Sequence, residues 1–112
     1  MQNVLTRSHN QTIQPCGHLN AANATDFQEE LIASVSSEQN SALLVDMSQV
    51  ESLDSAGLMA LVSALTLAQQ LGKRFSLCSV APSIRIIFEL TQLDRVFEIF
   101  DNAVEFEAAI AR

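Results

Sequence analysis

The chain has 112 residues, of which 48% are hydrophobic, and its 13 acidic and six basic side chains give a net charge of −7. This length suits one domain (1–112) with a single core, and the high apolar fraction excludes a disordered acidic tail. A net negative surface repels phosphate backbones and anionic lipid, so the composition argues against nucleic-acid binding and against membrane docking.

The chain shows no pattern of a targeting or membrane segment. Its first residues lack a basic region followed by an apolar block, and no segment contains the roughly 20 apolar residues that span a bilayer. Cys16 and Cys78 are too few and too far apart for a secreted disulfide framework. We therefore expect a cytoplasmic protein, with Cys78 as a small core residue inside an apolar run.

The first third of the chain predicts two short strands and a helix. Residues 4–6 and 12–13 form strands around a polar turn at 8–11, and Pro15 requires the second strand to lie at an edge or to end there.

The first helix starts between Asn20 and Asn23, either of which is a good N-cap, and runs to about Val35. Its apolar face contains Phe27, Leu31, Ile32 and Val35.

The middle of the chain predicts two buried strands around a helix. Residues 42–47 are apolar in succession, which is typical of a strand buried on both faces. A loop at 48–54 leads to a helix at 56–71, for which Gly72 is a suitable C′ residue, and a strand follows at 75–80. One apolar stripe of this helix consists of Leu58, Leu61, Val62, Leu65 and Ala68.

The last third predicts a helix opened by Pro82, a short strand at 96–100 and a final helix capped by Asp101 or Asn102. The apolar face of the helix after Pro82 contains Ile84, Ile87, Phe88 and Leu90, and the final helix carries Val104, Phe106 and Ile110. A solvated acidic face is expected from Glu98, Asp101, Glu105 and Glu107. The whole alternation predicts an α/β fold with a mixed, largely parallel sheet of four to five strands and about four helices.

The segment 52–58 lies where a strand passes into a helix. In sheets of this kind, binding sites gather beyond the carboxyl ends of the strands, which is where Asp54 and Ser55 fall. A serine at a helix start has two roles to choose between. It is either an N-cap, or an acceptor for a phosphate that the positive end of the helix favours.

A hydrolytic role for Ser55 is weaker. The nucleophile elbow Gly-x-Ser-x-Gly is half present, because Gly57 follows Ser55 but Leu53 replaces the first glycine. The chain's two histidines, His9 and His18, both precede the serine, so the downstream base of that fold is missing.

No metal or other cofactor is expected. Cys16 and His18 make a single pair of potential ligands, and a core cysteine beside an exposed loop histidine is the simpler interpretation. Asp46, at the end of a buried strand, is expected to accept hydrogen bonds from backbone N–H groups of the following loop.

Residues 42–100 resemble the STAS domain family and, within it, the bacterial anti-sigma factor antagonists. The family's turn is Asp-Ser-Ser/Thr-Gly-Leu, and its phosphorylated serine follows the aspartate, which places it on Ser55. The segment Gly17-His18-Leu19-Asn20 resembles the family's Gly-x-Leu-Asp turn. Further matches are the strand ending Leu44-Val45-Asp46-Met47, the strand ending Leu77-Cys78-Ser79-Val80, and Pro82 opening the next helix.

The resemblance implies a partner-switching regulator that is not an enzyme. The unphosphorylated protein would bind an anti-sigma factor that is also a serine kinase; phosphorylation of Ser55 would release it, and a serine phosphatase would reset the switch. Ala56 replaces the family's second hydroxyl residue, which leaves Ser55 as the sole acceptor in the turn. The expected partner-binding residues are Asn20, where the family commonly has aspartate, with Asp54, Ser55, Ala56, Gly57 and Met59.

Two alternatives stay open at this point. The chain could be a constitutive interaction or scaffold module of a larger signalling or transport assembly, in which Ser55 is only a cap. It could also be a small-molecule-binding or enzymatic α/β domain, which would require a deep apolar pocket with converging polar groups.

Overall fold

The computed structural model describes residues 10–111, and strands and helices alternate along this part of the chain. Its strands are β1 (Asn10–Ile13), β2 (Gly17–Leu19), β3 (Ala42–Asp46), β4 (Val50–Leu53), β5 (Arg74–Cys78) and β6 (Glu98–Phe100). Its helices are α1 (Ala24–Ser36), α2 (Ser55–Gln70), α3 (Pro82–Leu90) and α4 (Ala103–Ile110), and a short 3-10 helix spans Leu93–Arg95. The predicted strand at 4–6 lies outside the described residues.

The strands form a four-stranded sheet in the order β1-β3-β5-β6 and a two-stranded ribbon of β2 and β4. Every strand pair in the described part of the chain is parallel. β2 follows β1 along the chain, and β4 follows β3. The ribbon therefore lies past the carboxyl ends of β1 and β3, and its two strands are parallel like those two. The ribbon thereby brings the starts of α1 and α2, which follow β2 and β4, to the same edge.

The sheet carries an apolar core on each face. The larger core contains side chains from α1, α2 and α3, and β3 is buried on both faces as its composition predicts. The smaller core lies beneath α4, where the rings of Phe100 and Phe106 meet edge to face at 5.8 Å. Cys78 is fully buried in this smaller core, which confirms the prediction for it.

The residues that follow α2 also bind the C-terminus of α1. Gly72 adopts a left-handed φ of +70° after the last turn of α2, as its predicted C′ role requires. Lys73 then extends its Nζ to the carbonyl oxygens of Val35 and Ser37, both at 2.7 Å. These bonds satisfy carbonyl groups at the C-terminus of α1, where a cation is favoured.

Short strands account for most of the errors of the sequence prediction. The segment 48–54 was expected to be a loop, yet it contains β4, because Val50 and Leu53 are buried on either side of two exposed polar residues. The ribbon partner β2 was also missed, and β1 includes part of the predicted turn at 8–11. The strand predicted at 75–80 ends at Cys78, because Ser79 has a left-handed φ of 58° that cannot continue a strand.

The helices and the strand of the last third are predicted with the correct type, but one residue predicted to be buried and one strand boundary are wrong. Pro82 opens α3 and the side chain of Asn102 caps α4, as predicted. Leu90, expected on the apolar face of α3, is 80% exposed, because this face is buried only at Ile84 and Phe88. The last strand begins at Glu98 and not at residue 96.

Glu98 was expected on a solvated acidic face, but it ties β6 to β5. Arg74 donates from Nε and Nη2 to the two carboxylate oxygens of Glu98, at 2.8 and 2.6 Å. Ser76, which is fully buried, donates its hydroxyl to the same carboxylate. The hydrogen bonds from Arg74 hold the pKa of Glu98 below its ordinary value, against the opposing effect of burial.

This geometry predicts a pH-dependent contribution of Glu98 to stability. Because the folded-state pKa is lowered, the contribution is present above the unfolded value of about 4.3 and is lost as the pH falls through the folded value. Glu98→Gln should therefore lower the thermal unfolding midpoint at about pH 7, and the deficit should shrink at about pH 3. Glu89→Gln, at an exposed position of α3, is the control, and an equal deficit at both pH values would contradict the assignment.

Candidate functional site

The junction between β4 and α2 is fixed to the neighbouring strand. The Asp54 N–H donates to the carbonyl oxygen of Leu19 at 3.0 Å, which holds the end of β4 against the end of β2. Asp54 has an extended backbone, with φ −100° and ψ −174°, as expected of a residue just outside a helix. The chain therefore turns into α2 at a defined point.

Asp54, and not Ser55, caps α2. Its Oδ1 accepts hydrogen bonds from the N–H groups of Ala56 and Gly57, at 2.9 and 3.0 Å. Its carbonyl oxygen accepts the N–H of Leu58 at 2.9 Å. Of the two roles that the sequence left open for Ser55, the N-cap is therefore wrong, because the aspartate one residue earlier occupies that position.

Ser55 is the first residue of α2 and is exposed. Its hydroxyl makes no hydrogen bond to another residue of the described chain. Neither capping nor packing therefore explains a serine at this position. The hydroxyl oxygen is open to a second protein.

Gly57 places α2 against the ribbon. A Cβ at this buried position would lie 2.7 Å from the carbonyl oxygen of Leu19 and 2.9 Å from Cδ1 of Leu53. The absence of a side chain at Gly57 therefore lets α2 start close to β2. Contact of Gly57 itself with a partner stays a prediction.

The next two residues of α2 point in opposite directions. Leu58 is 7% exposed and packs in the core, whereas Met59 is 55% exposed. Met59 lies four residues after Ser55, so the two side chains share one face of the helix.

Asn20 lies next to this junction and stabilises the turn into α1. Its Oδ1 accepts the N–H of Ala22 at 2.9 Å, and its own N–H donates to Oδ1 of Asn23 at 3.0 Å. Asn23 also donates from Nδ2 to the carbonyl oxygen of His18 at 2.7 Å. The two asparagines thus interlock before α1, which begins at Ala24 without a side-chain cap from Asn23.

A polar row on the ribbon escaped the sequence analysis. His18 is exposed as expected, but it lies in β2 and not in a loop; its Nδ1 is 2.6 Å from Oγ of Ser52 and its Nε2 is 3.7 Å from Oε1 of Glu51. These are the groups of a hydrolytic triad, yet the amides of α2 that could bind an oxyanion already donate to Asp54. The sequence contains little signal for this row, because two polar residues in succession between Val50 and Leu53 break the alternation of a strand, and four residues are too few to predict one.

The other candidate ligand residues do not assemble. Cys16, expected in the core, is exposed and lies between β1 and β2. Asp46 accepts the N–H of Ser48 through Oδ1 at 2.9 Å, as predicted. Within residues 10–111, no three His, Cys, Asp or Glu side chains form a group that could hold a metal ion.

A cavity of about 230 Å³ lies at the opposite end of α2 from Ser55. Its lining includes Ala42 and Arg74, at the amino ends of their strands, and Gly72, just past the end of α2. The 16 residues of α2 separate this cavity from Ser55 by about 24 Å. The exposed junction, and not this cavity, therefore contains the predicted site residues.

A family model described as the STAS domain matches residues 3–106. The chain belongs to the STAS domain family. Among curated relatives, this STAS domain is 29% identical over 93 residues to a candidate anti-sigma factor antagonist of Thermotoga neapolitana, covering 83% of this chain and 82% of the relative.

Solved structures agree with the family assignment. The crystal structure of a candidate anti-sigma factor antagonist from Thermotoga maritima superimposes with a TM-score of 0.84 at 27% identity, covering 90% of this STAS domain and 86% of that chain. The phosphorylated form of the Bacillus cell fate determinant SpoIIAA superimposes with a TM-score of 0.67, covering 88% of each chain. At 12% identity, the likeness to SpoIIAA shows the fold alone.

No helix in the part of this STAS domain that the structure describes is both long and apolar enough to cross a membrane.

The capping geometry predicts different effects of substitution at adjacent residues. Asp54→Ala removes the acceptor of two amides and should lower the free energy of unfolding by about 1 kcal/mol. Ser55→Ala removes a hydroxyl without a partner and should change it by less than about 0.5 kcal/mol. Urea unfolding of both variants checks this, and the reverse order would restore Ser55 as the cap.

The close packing at Gly57 predicts that Gly57→Ala is destabilising. The added methyl group meets backbone and side-chain atoms of Leu19 inside normal contact distance, so α2 must shift away from β2 at a cost of about 1–3 kcal/mol. Urea unfolding measures this loss, and Ser55→Ala, on the exposed side of the same turn, is the control. Unchanged stability would show that the helix start moves freely against the ribbon.

Proposed function

We propose that this chain is an anti-sigma factor antagonist that binds an anti-sigma factor with serine kinase activity while Ser55 is unmodified. Phosphorylation of Ser55 by that kinase makes the two proteins dissociate, and a serine phosphatase then restores the form that binds. The chain itself acts as a binding module without catalytic activity, and we place the exchange in the cytoplasm, where a sigma factor acts. The names of the relatives at 27–29% identity support the anti-sigma part of this proposal.

The observation that carries the proposal is the exposed hydroxyl of Ser55, which bonds to none of residues 10–111 and does not contribute to the cap of α2. Because Asp54 already fills the capping position, a phosphate on Ser55 need not disturb the start of α2. The modification would change the charge of the junction by about −1.5 to −2 and leave the fold in place.

Two of the amides at the start of α2 are not free to bind a phosphate on Ser55. The N–H groups of Ala56 and Gly57, which would otherwise favour an anion at a helix start, already donate to the Asp54 carboxylate. No lysine or arginine occurs between residues 8 and 72 of the chain. A phosphoserine here would be satisfied by water, so a partner that covers the junction must remove that water.

Removal of this water gives the switch its energy. Burying a phosphoserine dianion beside the Asp54 carboxylate without a matching cation should cost about 3 kcal/mol or more. A loss of this size lowers affinity by about a hundredfold. The neutral hydroxyl carries no such penalty, so the same surface binds the partner before modification.

The surrounding residues supply the remainder of the proposed contact surface. Met59 offers an exposed apolar side chain on the face of Ser55, and Ala56 and Asn20 are half-buried beside it. Gly57 contributes by holding the start of α2 against β2.

The switch predicts opposite binding results for two substitutions of Ser55. Ser55→Asp should weaken binding to the partner by about tenfold or more, because it adds one carboxylate to the covered junction, with little change in unfolding free energy. Ser55→Ala should bind within about twofold of the unmodified chain and should gain no mass on incubation with the kinase and ATP. Calorimetric titration and intact-mass measurement give these values.

Gln69→Glu adds the same charge at the far end of α2 and should leave affinity unchanged. A mass gain that persists in Ser55→Ala would remove Ser55 from the switch. Equal affinity of Ser55→Asp and Ser55→Ala would instead favour a constitutive interaction module.

A further inference from the structure

The excess of acidic over basic residues is confined to one stretch of the sequence. Seven of the 13 acidic residues lie between residues 8 and 72, where no lysine or arginine occurs. The other six acids are balanced by the six basic residues, which are Arg7 and five residues from Lys73 onward. The net charge of −7 therefore belongs to the stretch that contains Ser55.

The fold gathers part of this charge at the edge that carries Ser55. Because β2 and β4 are parallel, α1 and α2 begin at the same edge of the molecule. Asp26 lies in the first turn of α1 and Glu29 in the next, both exposed, and Glu51 is exposed on β4. We call the α1 start, the ribbon and the α2 start together the acidic edge.

An apolar side chain projects from the same edge. Met59 is 55% exposed and lies one turn after Ser55 in α2. A docking surface of this type combines a short-range apolar contact with a long-range field of one sign.

We infer that the acidic edge docks a basic protein surface and that it sets the association rate. In that surface, lysine and arginine side chains face Asp26, Glu29 and Glu51. They surround an uncharged apolar recess that covers Met59 and Ser55. This inference rests on the proposed function and names the chemistry of the partner. A field of one sign raises the rate of encounter by between about tenfold and a thousandfold, and salt screens it over about 10 Å at 0.1 M.

The inference divides the switch into two kinetic parts. A phosphate on Ser55 adds negative charge to an edge that already attracts a basic partner, so it cannot slow the encounter electrostatically. The desolvation of that phosphate beside Asp54 acts only once the surfaces meet. Phosphorylation should therefore raise the dissociation rate and leave the association rate equal or higher.

Matched charge-reversal variants test the acidic edge. The double variant Asp26→Lys/Glu29→Lys lies on the acidic edge, and the control Glu89→Lys/Glu107→Lys lies in the balanced part of the chain. All four positions are exposed, and both variants carry the same net charge. Stopped-flow association with the recombinant anti-sigma factor at low salt should be slowed about tenfold or more for the first and less than about twofold for the second. Equal slowing would overturn the inference.

A second measurement needs no natural partner. Deca-lysine added to the isotope-labelled chain should shift the amide NMR signals of the acidic edge, and shifts concentrated in α3 or α4 would contradict the proposed surface. Failure of the switch itself gives a different result: Ser55→Asp would then have an unchanged dissociation rate while the two charge-reversal variants still differ. A lowered association rate of Ser55→Asp would refute the kinetic division.

Discussion

The candidate site depends on the capping of α2 by the Asp54 carboxylate. It closes the N-terminus of α2 by accepting two amides, and the N–H of the same residue binds β2. Because of these contacts, the start of α2 does not need the Ser55 side chain as a cap. Asp54 therefore stabilises the helix start, and the Ser55 side chain beside it is exposed.

The elements and most of the core could be predicted from the sequence because long apolar periodicities specify them. The stripe of α2, the succession of apolar residues in β3 and the proline that opens α3 each have a local physical cause. The ribbon could not be predicted in this way. β2 and β4 contain three and four residues, and their pairing depends on a contact between distant parts of the chain.

The detailed geometry of the candidate site could not be predicted from the sequence, for the same reason. The choice between Asp54 and Ser55 as cap depends on which side chain reaches the amides, and the backbone of Asp54, tied to Leu19, decides it. The row from His18 to Ser52 depends on the register of the ribbon. Arg74 and Glu98 lie 24 residues apart in the sequence. Only the pairing of β5 with β6 brings them close enough for two hydrogen bonds between the guanidinium and the carboxylate.

The tight fit at Gly57 also bears on how fast a cell could respond. Because the helix start is wedged against the ribbon, little conformational freedom is left there to lose when a partner binds. In the proposed cycle no segment has to refold between the two forms. The lag between a signal and the exchange of partners would then be set by the turnover of the modifying enzymes and by dissociation, and not by rearrangement of this protein.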